Sequence, residues 1–340
     1  MKRAFIATLQ ILVSIALIIW IFHDPGKRAL MADALAAANL WWLVPGVTAM
    51  GIALAAQAAR WQVLLRAVDV HFHWLRTTQL YFIGAFFNLF LLGATGGDVA
   101  KIYYAVRESP DARAAAFLSI VVDRVMGLIA LAAIAVIAVA SRFDVLMSTP
   151  IAQGMLATLA LILAAGLGVV VVGALVAFFK LQARLPANLP ARTAIVDLAV
   201  ATERYARAPR ALFGAFALSI AGHLLMFATF YFAARALGSA LTMLDTFSVM
   251  PIVSAITAVP ISLSGIGLRE QIFEQLLSTL YAIPASEAVL ISLLGYLTMV
   301  IWSLVGGLVY LTYRRPTDAV TIPKMDAVAE DLAERPNPAA

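Results

Sequence analysis

Apolar residues run almost without interruption through six stretches of the chain, 5–22, 40–59, 115–140, 157–179, 212–233 and 288–310. Each comes close to, or exceeds, the roughly 20 residues a helix needs to cross a bilayer. Two further apolar stretches, 80–92 and 244–263, behave differently, because each runs into glycines and then into ionisable residues. The first carries Asn88, then Gly93, Gly96, Gly97, Asp98 and Lys101. The second carries Pro260, Ser262, Ser264, Gly265, Gly267, Arg269 and Glu270. Broken backbone and charge are both costly at membrane depth unless protein or water surrounds them. The two breaks therefore point to a polar site inside a helical bundle.

The distribution of Lys and Arg sets the topology, since short basic loops stay on the cytoplasmic side. Lys2 and Arg3 place the N-terminus inside, and Arg60, Arg66 and Arg76 follow the second stretch. Between positions 180 and 210 lie Lys180, Arg184, Arg192, Arg204, Arg207 and Arg210 against only Asp197 and Glu203. That loop falls inside only if the first broken segment enters and returns on the same side. Lys27 and Arg28 run mildly against the rule, although Asp24 and Asp33 accompany them. The expected fold is an all-α polytopic membrane protein with six full transmembrane helices and two re-entrant broken hairpins. Its halves, about 40–140 and 212–310, repeat the order span, loop, broken hairpin, short amphipathic helix, span. They insert from opposite sides, as an inverted repeat. The membrane domain is expected over 1–313, with 314–340 as a flexible cytoplasmic tail rich in proline and acidic residues.

Composition narrows the function. The chain is 63% hydrophobic and 13% charged, about half the ~25% charge of a soluble domain. It has no cysteine, which excludes disulfides, thiolate metal ligation and thiol nucleophiles. Of the four histidines, His71 and His73 form an HxH pair that reads as an interfacial loop feature more readily than a metal site. The net charge of +5 sits beside apolar segments and reads as topology signal and anionic-lipid contact, with no nucleic-acid module. The apolar run 5–22 is longer than the core of a signal peptide and reads as an uncleaved first span. No cofactor is expected.

The candidate chemistry lies at the breaks. Gly96 and Gly97 permit backbone conformations closed to other residues. Asp98 is placed to cap the following helix, Lys101 shares its face, and Asn88 offers both donor and acceptor. A plain helix cap beside an interfacial charge pair is the competing reading. In the second break Pro260 frees a carbonyl, Ser262 and Ser264 offer hydroxyls, and the amides after Gly265 and Gly267 form an anion cradle. Arg269 brings a guanidinium fork suited to phosphate, beside Glu270; Glu274 is a lesser candidate. Asp123 and Arg124, inside the third span, do not share a helical face. Their expected partners are Lys101 for Asp123, and Asp98 or a lipid phosphate for Arg124. Arg60-Trp61, Trp41, Trp42, Trp74 and Tyr81 read as interfacial anchors, with Arg60-Trp61 at the rim of the site as the alternative. The supply for catalysis is thin. Ser262 and Ser264 have no histidine nearby in sequence, and no nucleotide-binding or zinc motif is present. A membrane enzyme acting on a lipid headgroup and a non-catalytic partner subunit remain as alternatives to transport.

At these residues the chain resembles the lysylphosphatidylglycerol synthase transmembrane-region family, a group of flippase-like membrane proteins. The resemblance covers roughly 9–313. It rests on Arg60-Trp61 with Leu64-Leu65, on Phe86-Phe87-Asn88 through Gly96-Gly97-Asp98 and Lys101, on Val122-Asp123-Arg124 with Gly127, and on Pro260-Ile261-Ser262 with the run Gly265 to Glu270. It implies a domain that moves lipids between leaflets of a bacterial cytoplasmic membrane. No soluble synthase domain follows position 313, so synthesis is not implied. Asn88, Asp98, Lys101, Asp123, Arg124, Arg269 and Glu270 are the positions it carries over. The implied partner is a membrane lipid, either an anionic phospholipid or a polyprenyl-phosphate lipid. A second copy of the chain and a lipid-synthesising enzyme are open as protein partners.

Overall fold

A computed structural model describes residues 2–90, 96–179, 201–259 and 261–313. Every described regular element is helical. In chain order the principal helices are α1 Lys2–Phe22, α2 Pro25–Ala36, α3 Leu43–Ala67, α4 Trp74–Phe90, α5 Gly96–Glu108, α6 Arg113–Ser141, α7 Phe143–Leu146, α8 Pro150–Phe178, α9 Pro209–Ala236, α10 Met243–Ala258, α11 Leu268–Tyr281 and α12 Ala285–Thr312. Among the described residues, α3, α6, α8, α9 and α12 are long and apolar enough to cross a membrane. With α1 they correspond to the six expected spans, so this is an all-α polytopic membrane protein.

The helices outlast the apolar runs that announced them. α3 continues to Ala67 and α8 begins at Pro150, beyond the apolar limits at 59 and 157. α2 lies between the first two apolar runs. Its start is fixed by Asp24, whose carboxylate accepts from the Gly26 amide at 2.8 Å, with Pro25 in the first turn.

Both broken segments are antiparallel helical hairpins. At the base of the first, Arg76 near the start of α4 pairs with Glu108 at the end of α5 at 2.8 Å. At its tip, the Gly97 amide donates to Asn88 Oδ1 at 2.8 Å. The arms touch through backbone: a Cβ on Gly97 would lie 2.0 Å from the Gly84 carbonyl oxygen, so only glycine allows this approach. In the second hairpin, Ser248 on α10 and Tyr281 at the end of α11 meet at 2.9 Å. Its turn needs left-handed backbone at Gly265 (φ +76°), which closes a single 3-10 turn at Leu263–Gly265, and at Gly267 (φ +82°) just beyond it. The short amphipathic helices expected after each hairpin are themselves the returning arms, α5 and α11.

Ladder-like pairings sort the helix ends onto two faces. Tyr313 joins Arg76 and Glu108, and Tyr205 donates to the Leu64 carbonyl at 3.0 Å. These contacts gather the ends of α3, α5 and α12 with the starts of α4 and α9. On the opposite face Arg142 pairs with Asp245 at 2.8 Å, the Asn39 amide donates to the Ala236 carbonyl at 2.8 Å, and Lys27 pairs with Glu274 at 2.6 Å. The hairpins thus enter from opposite faces. Lys27, the mild exception to the charge rule, has its countercharge in Glu274. Of the basic 180–210 loop, 180–200 lie outside the described residues, as does the tail 314–340.

The halves interlock. α3 and α9 form the most extensive helix pair, α4 packs on α12, and α10 packs on α6. Each hairpin therefore leans on a long helix of the other half. One apolar core surrounds the second hairpin, built on Phe227, Phe230, Phe273 and Leu276. The other surrounds the first, built on Trp61, Leu64, Leu65 and Leu80.

Candidate functional site

The two hairpin tips touch at the centre of the bundle. Ser264 donates its hydroxyl to the Asn88 carbonyl at 2.9 Å and lies 3.3 Å from that of Leu89. These carbonyls lie in the last turn of α4, where a helix runs out of its own amide partners. α1 supports the same turn, since Ser14 Oγ accepts from the Leu263 amide at 2.8 Å.

Beside the first hairpin runs a chain of five charges. Asp123 is 1% exposed and receives Arg60 Nε at 2.6 Å, with Lys101 Nζ 3.6 Å away. Lys101 continues to Asp98 at 3.2 Å, and Asp98 holds Arg124 through Nε at 2.5 Å and Nη2 at 2.7 Å. The expected pairings of Asp123 with Lys101 and of Arg124 with Asp98 are both present in this geometry. Arg60 and Trp61, by contrast, are not interfacial anchors. Both are buried; Arg60 also donates to Ser219 at 3.0 Å, and Trp61 donates to Ser119 at 3.0 Å. Tyr81 is likewise buried and donates to Gln57 at 2.8 Å, with the Lys101 ammonium 4.9 Å above its ring. Trp41 and Trp74 are exposed, as anchors are. Three cations against two carboxylates leave the network with one positive charge over.

The second tip has a smaller cluster. Arg269 donates to Glu270 from Nε and Nη2 at 3.2 and 3.0 Å, and to Ser292 at 3.2 Å. Its guanidinium carbon lies 3.6 Å from the Tyr296 ring centroid. Glu270 turns its other oxygen to the Gly267 amide at 2.7 Å. The anion cradle expected at this helix start is therefore filled by the protein's own carboxylate. A parallel correction holds at the first tip. The cap of α5 comes from Asn88, while Asp98 is committed to Arg124 and Lys101.

Between the halves lies a cavity of about 250 Å³. Of the residues singled out from sequence, Asn88, Arg124, Ser264 and Arg269 line it. Gly96, Gly97, Lys101 and Asp123 stand behind it as support, Gly265 and Gly267 bend the second tip, and Glu270 holds Arg269. Ser262 is buried without a hydrogen-bond partner for its hydroxyl among the described residues. Pro260 lies outside the described residues. Arg124 and Arg269 each hold their carboxylate through the Nε and Nη2 edge, which leaves Nη1 on each for a ligand. Sequence reasoning missed Tyr296 and the four methionines of the wall, Met50, Met226, Met250 and Met299. Inside long apolar helices such residues look like ordinary packing.

Fold and site together define a polytopic helical membrane protein with an arginine-lined cavity between two oppositely inserted hairpins. The chain belongs to the family described as the lysylphosphatidylglycerol synthase TM region, which matches residues 7–313. Membership ties it to lipid headgroup handling in the membrane. No curated protein matches the chain.

Proposed function

We propose that the chain is a lipid translocase that carries a phosphate-bearing lipid headgroup between leaflets, and is not an enzyme. The observation that supports this most strongly is the shared cavity. It is lined by Arg124 from one half and Arg269 from the other, each with one edge of its guanidinium uncommitted. Guanidinium forks match phosphate oxygens. Cavities enclosed by broken helices of an inverted repeat are a recurring transport architecture. On this reading 1–313 form the translocating unit, with repeat halves about 40–140 and 212–310 and a cytoplasmic tail at 314–340. The tips part at the Ser264–Asn88 contact, the headgroup passes between Arg124 and Arg269, and the hydrocarbon tails stay in lipid. Charge favours the face that holds Arg66, Arg76, Arg113, Arg204, Arg207 and Arg210 as the cytoplasmic side, in a bacterial inner membrane with both termini inside. The partner is an anionic phospholipid or polyprenyl-phosphate lipid.

The test is reconstitution of the full chain into liposomes carrying fluorescent anionic phospholipid in both leaflets, with a membrane-impermeant quencher added outside. The expected result is quenching beyond the outer-leaflet half, reduced at least tenfold in Arg124→Gln and Arg269→Gln. Failure to move any anionic phospholipid or polyprenyl-phosphate probe would sink the reading. Mass spectrometry of the recovered lipid should show it chemically unchanged.

A further inference from the structure

The cavity wall is chemically lopsided. Its cations, Arg124 and Arg269, meet no free carboxylate. Asp98 is held by Arg124 and Lys101, and Glu270 by Arg269, Ser292 and the Gly267 amide. Among the described residues no acidic side chain lines the cavity. The undescribed positions at the two breaks, Leu91, Leu92, Gly93, Ala94, Thr95 and Pro260, contribute none by sequence. An ammonium group entering here would find cations and no counterion.

Apart from Asn88, Ser254, Thr257, Ser264 and Tyr296, the rest of the wall is apolar and adaptable. Met50 on α3, Met226 on α9, Met250 on α10 and Met299 on α12 converge on the cavity beside Phe230. Unbranched thioether side chains fill irregular space and tolerate ligands of variable shape. They offer little to a glycerol or sugar hydroxyl, whose burial without a partner is costly.

Tyr296 supplies a third observation. It is 9% exposed and lines the cavity. Its hydroxyl makes no hydrogen bond of good geometry, although the Ser264 and Arg269 side chains lie within loose hydrogen-bonding reach of it. A buried hydroxyl left open in this way is a donor awaiting an acceptor. It stands where Arg269, stacked on the same ring, would hold an anion.

Resting on the translocase reading, we propose that the cavity selects a phosphate ester joined directly to hydrocarbon and bearing no amine, and that the Tyr296 hydroxyl donates to its phosphate. Arg124 and Arg269 hold the anion from the two halves, and the methionine wall receives the first carbons of the chain. A polyprenyl monophosphate and a phosphatidic acid share the phosphate monoester that Arg124, Arg269 and Tyr296 would grip, and differ in how soon the chain turns apolar.

Native mass spectrometry of the full chain in detergent tests this with matched probes, hexadecyl phosphate against O-hexadecyl phosphoethanolamine. The phosphate ester is expected to be retained at least tenfold better. Tyr296→Phe keeps the ring under Arg269 and should lower that retention about tenfold without lowering the unfolding temperature. Farnesyl phosphate and dioleoyl phosphatidic acid form the second pair, and the better retained names the source of the phosphate. Equal or better retention of the phosphoethanolamine overturns the proposed selectivity while leaving translocation standing. Unchanged retention by Tyr296→Phe overturns the role of the hydroxyl. Retention of no phosphate lipid at all defeats the translocase reading itself.

Discussion

Arg60 and Asp123 meet across α3 and α6 at 2.6 Å, with side chains only 6% and 1% exposed. The pair anchors the chain of charges that ends at Arg124. A buried ion pair adds little over a well-packed apolar one, but removal of one partner strands the other in a low-dielectric interior. Asp123→Ala leaves Arg60 without its carboxylate and Lys101 with Asp98 alone. It should destabilise the protein by about 3–5 kcal/mol, read as a large fall in the thermal unfolding midpoint in detergent. Arg60→Met with Asp123→Leu should recover part of that loss. If the single and double variants unfold alike, the network does not hold the helices together.

Ser264 reaches the Asn88 backbone carbonyl, so the tips lie close enough to be probed by a cysteine pair, and the chain has no cysteine of its own to interfere. The pair Asn88→Cys with Ser264→Cys should form a disulfide on mild oxidation and stop lipid flux, with recovery on reduction. Each single variant should be insensitive to oxidant. Undiminished flux in the crosslinked protein would mean that the tips need not part.

Arg269→Lys keeps the charge but loses the planar fork that grips Glu270 and stacks on Tyr296. The exchange is not conservative at such a site. Flux of anionic lipid is expected to fall about tenfold while the protein stays folded, as judged by an unfolding midpoint close to that of the parent. Parental flux would show that charge alone is sufficient.

Gly97 permits the closest approach between the arms of the first hairpin. Gly97→Ala places a methyl group against the Gly84 backbone and should cost about 1–3 kcal/mol, the usual penalty for overpacking. Gly154, whose added Cβ would meet nothing within 4 Å, is the control, and Gly154→Ala should be neutral or slightly stabilising. The difference between the two unfolding midpoints checks the hairpin geometry.

Single cysteines probe the sidedness. Phe143→Cys and Leu75→Cys replace exposed residues on opposite faces of the bundle. In intact cells a membrane-impermeant maleimide should label the first and spare the second. The reverse pattern would invert the proposed orientation.

Much of the architecture was legible because the membrane imposes hard rules on length and charge. Helix-length apolar runs and the asymmetry of basic residues were enough to expect two hairpins entering from opposite sides. The pairing of Lys101 with Asp123 was expected from the cost of a buried charge, whereas for Arg124 that cost left Asp98 and a lipid phosphate as alternatives. Arg60 was misread for a physical reason. An apolar run stops at its first charge, but the helix need not stop there if the charge finds a partner inside. Hence Arg60-Trp61 looked like a helix end at an interface, when α3 continues to Ala67. Glu270 and Asn88 show a second limit. Which carboxylate or amide caps which helix depends on tertiary neighbours, and sequence spacing alone assigned the cap of α5 to Asp98. Tyr296 was silent because a tyrosine within an apolar span looks like packing. The only local hint was Ser292 one turn earlier, on the same face.

The hairpins that meet tip to tip also shape the electric field inside the protein. On the translocase reading, with neither hairpin crossing completely, a headgroup path opening from each side would approach the centre, and the insulating layer would shrink to little more than the contact of Ser264 with Asn88. Most of the membrane voltage would then fall across that short distance. A phosphate monoanion crossing it would move nearly a full charge through the potential, worth about 2.3 kcal/mol per 100 mV. Flux in the two directions should therefore separate when a potassium diffusion potential is imposed on the liposomes, and voltage would act as a source of direction for a protein with no nucleotide-binding motif of its own.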